Sequence, residues 1–410
     1  MKVELRIESL VHGGEALARH QGRVVFVSGA APGDLVEAEL DGAGSFEHTR
    51  AQRVIERGPS RVDAPCPIVE RCGGCPVQQV AVADQLAAKQ ALTADALERI
   101  GGFPRGSYQL AEIVASPLAL RYRRRARLHR TGDRWGFAQR ASRLVEPVDE
   151  CLLFEPGLQA LADAVRAAGD LPGVTDLGLL TAANGKGAID LRTEKGTKAL
   201  RARAERLLAS LPALKGITLG AEVLGDPVLV DLPLANGARL RSRPDLFAQA
   251  NRGAVPLLQA EALRAVGPAR RVLELFCGSG TLTLPLLGAG REVTAVESEG
   301  PSLGLLRRSA DEAGLAVKLI AGDAAKVAHG WEDPVDCALL DPPRTGAAAV
   351  VQALARQKIP RIAYVSCDAP TLARDGKLLA AAGYRLLRVV ALDLFPQTAH
   401  FEVVATFSRG

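Results

Sequence analysis

LELFCGSGTLTL, residues 273–284, begins as an apolar strand and turns into a helix through Gly278 and Gly280, where missing side chains let the backbone bend tightly against a ligand. A dinucleotide loop would carry a third glycine and a helix start that holds a pyrophosphate. Here the third position is Thr283, and no phosphate site is evident. S-adenosylmethionine has no phosphate and fits such a loop. Seventeen residues past Gly280, at the end of the next strand, Glu297 is placed to accept hydrogen bonds from both ribose hydroxyls. Asp323, after the third strand, either caps a helix or reaches the adenine amino group.

Outward from this loop, residues 269–410 alternate strand and helix: RRVLELFCG, a helix in TLTLPLLGAG, REVTAVE, AVKLIAGD, VDCALLDPP, RIAYVSC, YRLLRVVALDL and HFEVVATF. The rhythm predicts a doubly wound α/β sheet, mostly parallel, with its last two strands antiparallel and its ligands at the carboxyl ends of the strands. DPPRTG at 341–346 ends the fourth strand in a rigid turn that presents Asp341 and Arg344 at that rim. Cys367 ends the fifth strand, before Asp368 and a helix start at Pro370 expected to lower its pKa. Glu402 lies on the last strand, where a half-buried carboxylate can act as a base. Cys277 and Cys337 read as small buried hydrophobes.

These groups answer one chemical problem. Carbon 5 of uracil is a poor nucleophile, but a thiolate adding to carbon 6 makes an enolate whose carbon 5 attacks a sulfonium methyl in line. A base must then remove the hydrogen from carbon 5 before the thiolate leaves. Cys367 and Glu402 are the candidates, and the uridine must be unstacked to reach them.

Toward the amino terminus, four or five short strands in residues 1–58, among them VELRIESLV and GRVVFVSG, predict a small closed barrel of the oligonucleotide-binding type; a purely structural or protein-docking barrel is the alternative. Residues 59–245 form a mixed α+β unit that opens with a Pro- and Cys-containing linker and a helix from Val77 to Ile100, which could pack on the catalytic unit at 246–410. Within it, LRYRRRARLHR at 120–130, read as a strand, would put Arg121, Arg123, Arg125, Arg127 and His129 on one face as a ridge for phosphates. A solvated edge strand is the other reading.

A net charge of +5 over 410 residues is too small to identify a polyanionic partner by itself. No apolar run of membrane-spanning length and no secretory signal is present, so a cytoplasmic protein is expected, with a monomer as the default. Of seven cysteines, Cys66, Cys72, Cys75 and Cys151 stand apart from the other three, and in a reducing compartment such a set indicates metal or catalysis. On ligand chemistry they suit zinc or an iron–sulfur cluster, and zinc is the simpler reading.

Taken together, Cys66-x5-Cys72-x2-Cys75 with Cys151, FAQAN at 247–251, LELFCGSGTLTLPL, DPPRTG, YVSCDAPTLARD and FPQTAHFEVV resemble the bacterial RNA 5-methyluridine methyltransferases, more closely the ribosomal branch with a TRAM barrel and an iron–sulfur cluster. The likeness covers essentially the whole chain. It implies a Rossmann-like methyltransferase domain behind a TRAM barrel and a ribosomal rather than transfer RNA substrate. It also implies a four-iron, four-sulfur cluster on Cys66, Cys72, Cys75 and Cys151, reversing the preference for zinc. Further, it implies S-adenosylmethionine contacts from Gln249, Phe276, Glu297 and Asp341, and nucleophile and base roles for Cys367 and Glu402. Thr281 stands where relatives often carry Asn, a departure that bears on its cofactor contact; SCDAP and HFE replace the more usual SCNP and HVE, and neither of these two changes touches a reacting group. A radical enzyme, with its Cx3Cx2C spacing, a cytosine-directed enzyme and an RNA-binding factor with an idle site are the rival readings.

Overall fold

The computed structural model describes residues 1–42, 44–169, 171–194, 198–288 and 290–410. Strands β1 (Lys2–Leu10), β2 (Ala16–His20), β3 (Arg23–Ser28), β4 (Leu35–Glu39) and β5 (Phe46–Glu56) close into a barrel in the order β1-β2-β3-β5-β4. Period-two alternation sends Val3, Leu5 and Ile7 inward, and Val77 and Val80 from the linker complete the barrel core. Those two residues explain why the next helix, α1, spans Val82–Arg99 rather than starting at Val77. Residues 77–81 are used as turns against the barrel, with the Ala81 amide donating to the Ser60 carbonyl.

The central unit carries β6 (Gln109–Leu110), β7 (Arg125–Thr131), β8 (Arg134–Ala138), β9 (Val145–Pro147), α2 (Pro156–Ala167), β10 (Val174–Thr181), β11 (Gly187–Thr193), α3 (Lys198–Ser210), β12 (Leu214–Leu219), β13 (Glu222–Gly225), β14 (Leu229–Pro233) and β15 (Arg239–Ser242). Seven of these strands form one sheet, β13-β12-β11-β10-β7-β8-β9, on which α2 and α3 bury Leu158, Leu161, Val165, Ala204 and Leu207.

The C-terminal unit follows with α4 (Val255–Val266), β16 (Arg271–Leu275), α5 (Thr283–Leu286), β17 (Glu292–Glu297), α6 (Gly300–Glu312), β18 (Lys318–Ala321), α7 (Ala324–His329), β19 (Cys337–Leu340), α8 (Ala348–Arg356), β20 (Arg361–Ser366), α9 (Ala369–Ala381), β21 (Tyr384–Leu392) and β22 (Glu402–Arg409). Its sheet runs β18-β17-β16-β19-β20-β22-β21-β6, parallel from β18 to β20, as the βαβ rhythm predicts. β22 pairs antiparallel with both β20 and β21, so β22 alone runs against the others, and β6 extends the edge in parallel with β21. The helix expected over 281–290 is one turn, Thr283–Leu286, closed by an extended Leu287; Ala289 lies outside the described residues. Cys277 and Cys337 are buried in the core, as expected of small hydrophobes.

Because β16 and β19 are neighbours although far apart in sequence, the strand order reverses between them. Ligands of open α/β sheets bind at such a switch point, outside the carboxyl ends of the strands.

Candidate active site

The reversed direction of β22 brings Glu402, its first residue, to the rim where β19 and β20 end in Asp341 and Cys367. Glu402 is buried and Asp341 half-buried; desolvation raises the affinity of each for a proton, and at Glu402 the charge of Asp341 adds to the rise. Arg344, from the DPPRTG turn, opposes that rise at Glu402 and lowers the pKa of the neighbouring Cys367 thiol. Its guanidinium also lies 3.3 Å from the His400 ring, two residues before Glu402. Desolvation holds the His400 ring's pKa down at about 4, so it is neutral at physiological pH.

The thiol expected to be acidified by a helix start is instead pushed up to about 11, first by burial and then by Glu402 and Asp341, with Arg344 pulling the other way. The start of α9 is there, but Asp368 caps it, accepting from the Thr371 amide, and the thiol's own burial, with Glu402 next to it, sets the direction of the shift. A neutral thiol beside a guanidinium and two carboxyl groups is a nucleophile in waiting, activated by whatever positive charge or base joins it.

The glycine loop has the cradle needed for a nucleoside. Phe276 takes a left-handed conformation (φ 67°), which aims the chain into the turn, and Glu297 accepts from the Gly278 amide at 3.0 Å while its other oxygen accepts from the Glu299 amide at 2.9 Å. At Gly278 (φ 54°) a methyl group would meet nothing within 4 Å, leaving open space beside Glu297; at Gly280 it would strike Leu306 at 2.4 Å, so that glycine serves packing. Gln249 is buried and its carbonyl accepts from Arg124, while the Thr281 carbonyl accepts from Gln259. Asp323 caps α7, accepting from the Lys326 amide at 2.9 Å.

One buried acid was missed in the sequence. Glu274 is wholly enclosed on β16, has one carboxylate oxygen without a partner, and is pushed up to about 8 by desolvation, with Asp341 adding to the rise. A charged residue inside the apolar run LEL was the available signal.

The arginine ridge requires correction. β7 starts only at Arg125, Arg121 is in a left-handed conformation off the strand, and Arg123 precedes the strand with its Nε buried, so neither extends the face. Arg125, Arg127 and His129 do share one side, but Arg127 pairs with Asp190 at 3.0 Å, His129 with Asp176 at 2.8 Å, and Arg125 donates to the Leu246 carbonyl. The acids come from β10 and β11, strands that are distant in sequence and adjacent in the sheet.

Cys66, Cys72, Cys75 and Cys151 line one cavity together with Arg123 and Gln78. Burial pushes Cys75 up to about 12 and raises Cys72 and Cys151. The Arg123 guanidinium lies beside them with its Nε unpartnered. Among the described residues no three His, Cys, Asp or Glu side chains are placed to hold a metal ion. Four cysteine sulfurs beside a guanidinium are a donor set of the kind that thiolate-bound metals use.

Between the barrel, the cysteine loop and the active-site rim runs a cleft of about 730 Å³ lined by Glu15, His48, Arg50, Arg140 and His400. Arg140 has a buried, unpartnered Nη1. At the barrel surface Phe46 is 57% exposed and packs edge-on against Phe26 and His48.

Comparison with known proteins agrees with this architecture. Residues 333–409 match the tRNA (uracil-5-)-methyltransferase family model and residues 2–44 the TRAM domain. The chain is 36% identical to the 23S rRNA (uracil(1939)-C(5))-methyltransferase RlmD of Pseudomonas entomophila, over 100% of this chain and 94% of that one. It is 34% identical to the enzyme of the same name from Shewanella amazonensis, over 99% and 95%. Its fold is similar to that of the Pyrococcus abyssi tRNA (uracil-54, C5)-methyltransferase solved with S-adenosyl-L-homocysteine (TM-score 0.77, 22% identity, 98% of this chain and 99% of that one).

Proposed function

Since this chain belongs to the RNA uracil-5-methyltransferase family, whose methyl donor is S-adenosylmethionine, we propose that it methylates carbon 5 of one uridine in 23S ribosomal RNA in the cytoplasm, with Cys367 as nucleophile and Glu402 as base. The observation that carries the assignment of roles is the meeting of Cys367, Arg344, Asp341 and Glu402 at one strand rim. Ribosomal RNA is favoured over transfer RNA because relatives 34–36% identical along nearly their whole length are named for 23S rRNA.

S-adenosylmethionine supplies the methyl group and a positive charge. Glu297 and the open Gly278 turn would hold its ribose, with Gln249, Phe276, Thr281 and Asp341 around the rest; Asp323 is occupied as a cap and is the weakest of these contacts. Arg344 holds the Cys367 sulfur for addition to carbon 6 and favours its ionised form. Buried and proton-hungry, Glu402 is suited to take the hydrogen from carbon 5, after which the sulfur–carbon bond breaks and the double bond re-forms.

The cleft leads RNA to this rim: Arg50, Arg140 and His48 line it, and the exposed Phe46 ring offers a surface on which an unpaired base can stack. Cys66, Cys72, Cys75 and Cys151 would hold a four-iron, four-sulfur cluster, with Arg123 offsetting its negative charge. No redox step is required of it.

The test is mass spectrometry of nucleosides from ribosomal and transfer RNA of a strain lacking the protein. Loss of 5-methyluridine at one 23S position is expected. Loss confined to transfer RNA would overturn the substrate, and no loss would overturn the activity.

A further inference from the structure

The segment from Asp393 to Phe401 crosses from β21 to Glu402 and carries His400, yet many of the hydrogen bonds that hold it come from outside the catalytic sheet. Gln85 of α1 exchanges two with Gln397: its Nε2 donates to Gln397 Oε1 at 3.0 Å, and the Gln397 amide donates to Gln85 Oε1 at 3.0 Å. The Tyr122 hydroxyl donates to the Pro396 carbonyl at 2.9 Å. Lys89 pairs with Asp393 at 2.7 Å and reaches the Phe395 carbonyl. Asn251 donates to the Leu394 carbonyl at 2.9 Å. All four anchoring side chains are buried.

Gln397 itself is left-handed (φ 68°), a conformation that a residue with a side chain keeps only where its surroundings over-determine it. The double amide exchange with Gln85 is such a constraint. The segment it shapes ends at His400 against Arg344, and at Glu402.

We propose that Gln85 and Tyr122 are positioning residues for proton abstraction: acting through the 393–401 segment, they hold Glu402 and His400 at the rim, while Cys367 is carried at the end of β20, outside that segment. This rests on the covalent reading above. Their loss then separates the two halves of the reaction. Addition of Cys367 to carbon 6 and methyl transfer to carbon 5 continue. Removal of the carbon 5 hydrogen by Glu402, which frees the sulfur, slows.

The experiment is a single-turnover time course with substrate RNA and S-adenosylmethionine, following both the denaturation-stable protein–RNA adduct and the released methylated RNA. Tyr122→Phe deletes one oxygen from a folded protein. Gln85→Ala removes both hydrogen bonds to Gln397, together with those to the Val77 and Val80 carbonyls, and Gln85→Glu restores the acceptor for the Gln397 amide. Expected for Tyr122→Phe and Gln85→Ala is a rate of adduct formation within about twofold of the unchanged protein and a release rate lower by about tenfold, so that adduct accumulates, with partial recovery in Gln85→Glu. Parallel loss of both rates, or no change in either, overturns the proposal. If Glu402→Gln also yields no adduct while methylation by the unchanged protein proceeds, the covalent reading falls and the proposal with it.

Discussion

His12 Nε2 lies 3.1 Å from Asp368 Oδ1, so the first turn of the barrel touches the residue that follows Cys367. Asp368 also caps α9, and replacing it with Asn keeps a side-chain oxygen for the cap while removing the charge that His12 meets. The pair is partly exposed, which limits its worth to about 1 kcal/mol or less. Asp368→Asn should therefore leave thermal stability nearly unchanged and raise the KM for RNA by about two- to fivefold, read from initial rates at fixed S-adenosylmethionine.

Cys367→Ala should abolish methylation and leave S-adenosylmethionine affinity within about threefold, because the glycine loop and Glu297 sit on other strands. Calorimetric titration together with a turnover assay checks both halves. Retained turnover would remove Cys367 from the chemistry.

Protonation equilibria give a prediction of sign. The folded pKa of Glu402 is raised, so its contribution to stability is fully present below the ordinary carboxylate range and is lost as pH rises through the folded value. Glutamine carries no such cost. Glu402→Gln should therefore unfold at a higher temperature than the unchanged protein at about pH 8.5, by about 2 °C or more, with the gap narrowing toward about pH 5. A gap that widens on acidification would contradict the burial argument.

Cys367, pushed up to about 11, leaves only a small thiolate fraction near neutrality. Adduct formation should rise with pH by up to about tenfold per unit between about pH 7 and about pH 9, and Arg344→Ala, which removes the charge opposing that rise, should slow it at every pH in this window. Stopped-time quenching of the adduct reads the slope.

Phe46→Ala and Arg140→Ala lie outside the catalytic rim and should weaken RNA binding by about fivefold or more each, since a stacked base is worth about 1–3 kcal/mol. Only the Arg140 change should reduce the salt dependence, because it alone removes a positive charge. Binding isotherms at two salt concentrations separate them.

Much of this site was legible in the sequence because its residues sit at strand ends, where motif and topology coincide: Glu297, Asp341, Cys367 and Glu402 fall on one rim of a sheet whose βαβ rhythm was readable. What failed depended on partners from elsewhere. The arginine run looked like a ridge until β10 and β11 supplied Asp176 and Asp190. The acidity of Cys367 was judged from the helix following it, whereas burial and then Glu402, on another strand, raise it most. The start of α1 moved because Val77 and Val80 are claimed by the barrel core, which local helix propensity does not register. Glu274 escaped notice because its importance lies in its enclosure, a property of the folded chain.

The most direct test of the covalent account uses RNA in which the target uridine carries fluorine at carbon 5. Fluorine cannot leave as a proton, so methyl transfer should strand the enzyme as an adduct. Intact-mass spectrometry is predicted to show protein plus RNA plus one methyl group, with the modified peptide containing Cys367. Absence of any adduct, while the same enzyme methylates the unfluorinated RNA, would contradict the account.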